Sequence, residues 1–172
     1  MNILITGGAG YIGSELINYL IHDHNITVLD NLMYDHTSLL RYTQNNNFNF
    51  VKGDVRDTKL LQRLMNQNDI IIPLAALVGF PLCDDHPRDA KEINHDTNKW
   101  IAQTKSPEQL IIYPCTNSGY GVSVDGSVCT EESPLNPLSL YGKTKVAAEA
   151  EYKNVENHVT FRLATVYGPG SR

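Results

Sequence analysis

The chain has 172 residues, 41% of them hydrophobic, with a formal net charge of -5. That is enough apolar content for a buried core in one domain, and it excludes a disordered or low-complexity segment. The acidic balance, with no cluster of Lys or Arg, argues against a nucleic-acid partner. No apolar run approaches the roughly 20 residues that would span a bilayer, so no membrane partner is expected either.

Asn2 to Thr6 reads as an opening strand that runs into Gly7-Gly8-Ala9-Gly10-Tyr11-Ile12-Gly13. Ile12, Leu16, Ile17 and Leu20 then recur at helical spacing. A glycine turn between a strand and a helix lets the chain bend sharply and lets a pyrophosphate approach the backbone without meeting a Cβ, with the helix N–H groups facing the phosphates. Ile26 to Asp30 follows as a second strand, and its terminal carboxylate is placed to hydrogen-bond an adenosine ribose. An acid there favours NAD over NADP, because a 2′-phosphate would meet like charge.

Further along, Asn31 to Asn47 is polar with a short helical piece at Ser38 to Tyr42, and Phe48 to Lys52 is a third strand. Thr58 to Met65 reads as a helix, with Leu60, Leu61 and Leu64 on one side. Asp69 to Leu74 is a continuous apolar run, expected as a strand buried on both faces. Helices over Asp89 to Gln103 and Tyr141 to Lys153 alternate with strands at Gln109 to Cys115 and His158 to Leu163. This alternation predicts an α/β, Rossmann-like, doubly wound parallel sheet with helices on both faces. Ligands of such sheets gather at the carboxyl ends of the strands, here Thr6 to Gly10, Asp30-Asn31, Gly53-Asp54-Val55, Leu74-Ala75-Ala76, Pro114 to Gly121 and Leu163 to Gly168. Asp54 and Val55 fit an adenine, the carboxylate accepting from the exocyclic amine; a turn or capping role is the alternative for Asp54.

Tyr141 and Lys145 stand four residues apart, on one helical face one turn from each other. A free phenol titrates near about 10, but a nearby ammonium and a positive nicotinamide favour the phenolate, which takes a proton from a substrate hydroxyl as hydride leaves the same carbon. Thr116, past the fifth strand, supplies a hydroxyl that bridges to the reacting oxygen, with Ser118 as its competitor and a local backbone hydrogen bond as the plainer role. Cys83, Cys115 and Cys129 are an odd set that suits a reducing compartment, and Cys83 with His86 lacks the second pair a metal site needs, so no metal is expected.

Together the stretches Thr6 to Gly13, Leu29 to Leu32, Gly53 to Asp57, Leu74 to Ala76, Thr116 before Tyr120-Gly121, Tyr141 to Lys145 and Arg162 to Gly170 resemble the extended short-chain dehydrogenase/reductases, in their nucleotide-sugar epimerase and dehydratase branch. The resemblance implies NAD held by Gly7, Gly10, Tyr11, Ile12, Asp30, Asn31, Asp54, Val55, Leu74, Ala75 and Ala76, with Asn94 shaping the site. It implies Thr116, Tyr141 and Lys145 as the catalytic triad, with Tyr141 and Lys145 also touching the cofactor. It further implies a nucleotide-sugar substrate and a homodimer through helices near 89–103 and 141–153; the odd cysteine set and the absence of a secretory leader give the expectation of a cytoplasmic location.

The departures bear on the substrate. Dehydratases of the branch carry an acid pair after the Thr, where Asn117 and Ser118 stand; many relatives have Asn at Thr165; and relatives continue into a substrate-binding domain past the point where Arg172 ends this sequence. The expectation is therefore an NAD-binding domain over residues 1–172 without its carboxyl-terminal substrate domain, poorly active alone. The activity expected is UDP-glucose 4-epimerase-like, with a dehydratase, a keto-reductase or a non-catalytic NAD-binding fragment as the alternatives.

Overall fold

The computed structural model describes residues 1–122 and 128–168. Six parallel strands form one sheet in the order β3-β2-β1-β4-β5-β6. They are β1 (Asn2–Thr6), β2 (Asn25–Asp30), β3 (Phe48–Lys52), β4 (Ile70–Pro73), β5 (Leu110–Thr116) and β6 (His158–Leu163). The helices are α1 (Tyr11–Leu20), α2 (Thr58–Met65), α3 (Phe80–Asp85), α4 (Pro87–Lys91), α5 (Thr97–Thr104) and α6 (Leu140–Tyr152). The order reverses between β1 and β4, so the chain leaves these two strands in opposite directions along the sheet, and a crevice lies at their carboxyl ends.

Alternation along the strands divides the core. Leu4, Leu29, Ile71, Ile111 and Tyr113 pack on one face beneath α2 to α6, while Ile3, Ile5, Ile26, Val28 and Ile72 pack on the other against Ile17 of α1, Leu39 and Tyr42. Pro73, which has no N–H to give the ladder, is confined to the last position of β4. Asp57 caps α2 by accepting from the Lys59 and Leu60 N–H groups at 3.1 and 3.0 Å, and Ser139 caps α6 by accepting from the Gly142 N–H at 3.1 Å. On β6, Val159 and Phe161 pair in register with Ile112 and Pro114 and remain 43% and 52% exposed, so the α1 side of that strand is not covered by described residues.

Two features depart from the sequence expectation. The sequence reading assigns no element to the residues of the short helix α3, and the helix expected over 89–103 is broken by a π-helical turn at Glu92–Asp96 between α4 and α5. An i→i+5 turn inserts one residue without altering the apolar spacing on either side, so periodicity carries no sign of it. Of the final motif, Pro169 and Gly170 lie outside the described residues.

Candidate active site

The carboxyl ends of the strands border a cavity of about 950 Å³. Its wall begins at the glycine turn. Gly7 has φ +70°, and a Cβ on it would lie 2.6 Å from the Ala75 nitrogen, so the close approach of the β1 and β4 exits requires glycine. A Cβ on Gly13 would lie 2.6 Å from Gly8 Cα, which keeps α1 tight against the turn. Among the described residues no side chain caps α1, which leaves the N–H groups of its first turn available to an anion.

Asp30 fixes this turn. Its Oδ2 accepts from the Ala9 N–H at 2.9 Å and its Oδ1 from the Leu32 N–H at 2.8 Å, the second bond holding Leu32 at φ 58°. The Ala9 carbonyl in turn accepts from Ser38 Oγ at 2.9 Å and lies 3.2 Å from His36 Nδ1. Sequence reading missed His36 and Ser38, since nothing in a polar loop indicates which side chain folds back 27 or 29 residues.

Asp54 makes the turn bond that was weighed against the adenine role. Its Oδ1 accepts from the Arg56 N–H at 2.9 Å and from Nε at 3.0 Å, and its Oδ2 accepts from Nη2 at 2.7 Å. These bonds from Arg56 hold the Asp54 carboxyl below its ordinary range. Asp54 and Val55 nonetheless line the cavity, as do Tyr11, Ile12, Asn31, Leu74, Ala75 and Ala76.

Asn94 does not. Fully buried in the π-helical turn, it accepts from the Leu77 N–H at 2.9 Å, donates to the Leu77 carbonyl at 3.0 Å and donates to Thr144 Oγ1 at 3.3 Å. It braces the strip of wall at Leu77 against α6 from behind, so it shapes the site through Leu77 and, contrary to a cofactor-binding role, does not itself line the cavity.

Thr116, Tyr141 and Lys145 line the opposite end of the same cavity. Thr116 ends β5, and its Oγ1 accepts from the Ser118 N–H at 3.2 Å, leaving the hydroxyl proton to donate elsewhere. Ser118 and Asn117 are exposed and do not line the cavity. Lys145 is 4% exposed, with Nζ 4.2 Å from the centre of the Tyr113 ring. Burial lowers its pKa to about 8. One turn on, Glu149 is held by Arg162, whose Nη2 donates at 2.6 Å and whose Nε donates to both carboxylate oxygens at 3.1 Å. Burial pushes this carboxyl up, but the Arg162 bonds and the Cys115 thiol outweigh it and keep it below its ordinary range. Tyr11 Oη donates to the Gly168 carbonyl at 2.9 Å and joins the start of α1 to the segment after β6.

A glycine turn, a helix start that no described side chain caps, a strand-end carboxylate and a helix bearing half-buried Tyr141 and buried Lys145 around one crevice define a dinucleotide-binding α/β domain. A profile of the NAD dependent epimerase/dehydratase family matches residues 3–172, and the chain belongs to that family. It is 32% identical over 165 residues to the UDP-glucose 4-epimerase of Halalkalibacterium halodurans, covering 87% of this chain and 44% of that one. The crystal structure of UDP-glucuronic acid 4-epimerase from Bacillus cereus in complex with NAD superposes with a TM-score of 0.88 at 26% identity, over 100% of this chain and 58% of that one. The dTDP-glucose 4,6-dehydratase of Bacillus anthracis, also in complex with NAD, gives 0.85 at 28% identity, over 98% and 56%. The chain thus spans about half the length of the curated relatives it matches. Among the described residues, no helix is long and apolar enough to cross a membrane.

Proposed function

We propose that this chain is the cofactor-binding and acid–base half of an NAD-dependent nucleotide-sugar epimerase. The observation that carries the reading is that Thr116, Tyr141 and Lys145 line the same cavity as the glycine turn, Asp30 and Asp54. The residues fit a dinucleotide: bare backbone at Gly7, Gly10 and Gly13 for the pyrophosphate, Asp30 for a ribose, Asp54 and Val55 for the adenine, and Lys145 for the nicotinamide ribose. When bound, the nicotinamide would accept a hydride from a sugar carbon and return it.

The chain's own groups supply the proton chemistry. The Tyr141 phenolate takes the proton of the sugar hydroxyl as the carbon is oxidised and gives it back on reduction. The Lys145 ammonium beside it lowers the cost of the phenolate, and burial strengthens that field. Thr116 donates its hydroxyl proton to the reacting oxygen, because its oxygen already accepts from Ser118. Thr165, Val166 and Tyr167 line an open side of the cavity, with Tyr167 91% exposed, and a substrate-binding segment on that side would complete the cleft.

Epimerisation is favoured over dehydration because the acidic residues that line the cavity, among those described, are Asp30 and Asp54, both at the adenosine end. Elimination of water needs an acid and a base at the sugar. A nucleotide-sugar panel with NAD and product analysis tests this. An inverted sugar without net change in NAD supports epimerisation, a 4-keto-6-deoxy product points to a dehydratase, and stoichiometric loss of NADH points to a reductase. Tyr141→Phe should retain NAD affinity and lose turnover; equal turnover removes Tyr141 from the mechanism, and absence of turnover in the parent leaves the non-catalytic reading standing.

A further inference from the structure

Arg56 is the centre of an ionic cluster that joins the exit of β3 to α4 and the π-helical turn. One edge of its guanidinium and its own N–H hold the Asp54 carboxylate through the three bonds described above. From the other side, Nη1 donates to Asp89 Oδ1 at 2.7 Å and to Glu92 Oε2 at 3.1 Å, and Arg88 Nε donates to Glu92 Oε1 at 2.7 Å. The guanidinium plane is therefore fixed by carboxylates on both sides. A carboxylate has about four lone-pair positions; here Oδ1 uses two and Oδ2 uses one. The single acceptor position left on Oδ2 has its direction set by the Arg56 fork.

We propose that Arg56 is a positioning residue for the adenine end of the site: by orienting the Asp54 carboxylate, it sets the preference for a 6-amino purine over a 6-oxo purine in the dinucleotide. This rests on the reading of Asp54 as the acceptor for the adenine amine. An ionised carboxylate aimed at the purine 6-position attracts an amine and repels a carbonyl oxygen. Without the Arg56 side chain only the main-chain N–H bond to Oδ1 remains, and Oδ2 is free to turn toward solvent, since Asp54 is about a third exposed at its side chain. The favourable contact and the repulsion then fade together. Arg56 does not line the cavity, so its effect on the ligand runs through Asp54.

The test is the affinity ratio of NAD to nicotinamide hypoxanthine dinucleotide, measured by calorimetry. The parent should prefer NAD about tenfold or more, the size of one charge-assisted hydrogen bond. Arg56→Met should reduce that ratio to about threefold or less, mainly through weaker NAD binding. The double variant Asp89→Asn/Glu92→Gln, which leaves Asp54 and Arg56 in place but frees the outer side of the guanidinium, should move the ratio in the same direction. An unchanged ratio in both variants overturns the positioning role, as does a uniform fall in both affinities, which marks a merely structural part. A parent without preference sinks the Asp54 reading itself, and the inference with it.

Discussion

Lys145 Nζ lies 4.2 Å from the centre of the Tyr113 ring, and among the described residues no carboxylate pairs with it. A buried ammonium held by an aromatic face is poorly stabilised, which is the physical meaning of its lowered pKa.

The drop from 10.5 to about 8 corresponds to roughly 3 kcal/mol of disfavoured charge. Lys145→Met should therefore raise the unfolding free energy at pH 7 by about 2–3 kcal/mol. Below pH 8 the ammonium is present in both folded and unfolded chains and the penalty is full. Between 8 and 10.5 the folded chain releases its proton first and the advantage of the variant shrinks. Urea titrations at pH 7 and pH 10 read both; a variant less stable than the parent at pH 7 refutes the account of this residue.

Arg162 and Glu149 form the opposite case, a buried pair with good geometry, their side chains 13% and 5% exposed. Arg162→Met leaves a carboxylate buried without its cation and should cost about 3–5 kcal/mol. Because the folded carboxyl lies below its ordinary range, its stabilising share is present above about pH 4.5 and is lost as pH falls through the folded value. The acid slope of stability should thus be shallower in Arg162→Met, as denaturant midpoints between pH 3 and pH 6 would reveal.

Two glycines with positive φ should respond differently to Ala. At Gly7 the new Cβ would lie 2.6 Å from backbone at Ala75, so Gly7→Ala should lose at least about 2 kcal/mol and weaken NAD binding together. At Gly79, φ +97°, no described residue lies within 4 Å of the new Cβ, so Gly79→Ala should cost about 1–2 kcal/mol of backbone strain with NAD affinity unchanged. Thermal melts paired with NAD titrations separate the two.

Asp30→Asn removes the charge and turns one acceptor into a donor, leaving either the Ala9 or the Leu32 N–H without its partner. The preference for NAD over NADP should fall by about tenfold, about one charge-assisted contact, with some loss of affinity for both. A preserved preference would mean that the carboxylate only braces the turn.

Much of this was legible because the determinants are local. Strands β1, β3 and β6 and helix α2 have the bounds their composition predicts, since apolar runs, Asp57 as cap and the glycine turn lie within a few residues of what they control. Helix α3 was not legible: six residues are too few to show a helical period, and its Cys83 is buried against the rest of the fold, a tertiary effect. The spacing of Ala90, Ile93, Asn94, Thr97, Asn98 and Ile101 is that of an unbroken helix, so the π-helical turn left no trace in it. At the site, the motif residues face the cavity, whereas the contacts of His36 and Ser38 with Ala9 and the bonds of Arg56 to Asp89 and Glu92 span 27 to 36 residues. Asn94 was suggested for the site by the family resemblance, and its side chain is taken up by the Leu77 backbone and the Thr144 hydroxyl.

The central claim is that a dinucleotide lies along this cavity from Asp30 and Asp54 to Tyr141 and Lys145. Calorimetric titration of NAD into the parent chain and into Lys145→Met at pH 7 tests it most directly. The account predicts saturable one-to-one binding to the parent and affinity lower by about tenfold in the folded variant, the loss of one charge-assisted ribose contact. No heat with millimolar NAD, or equal affinity in both proteins, would contradict it.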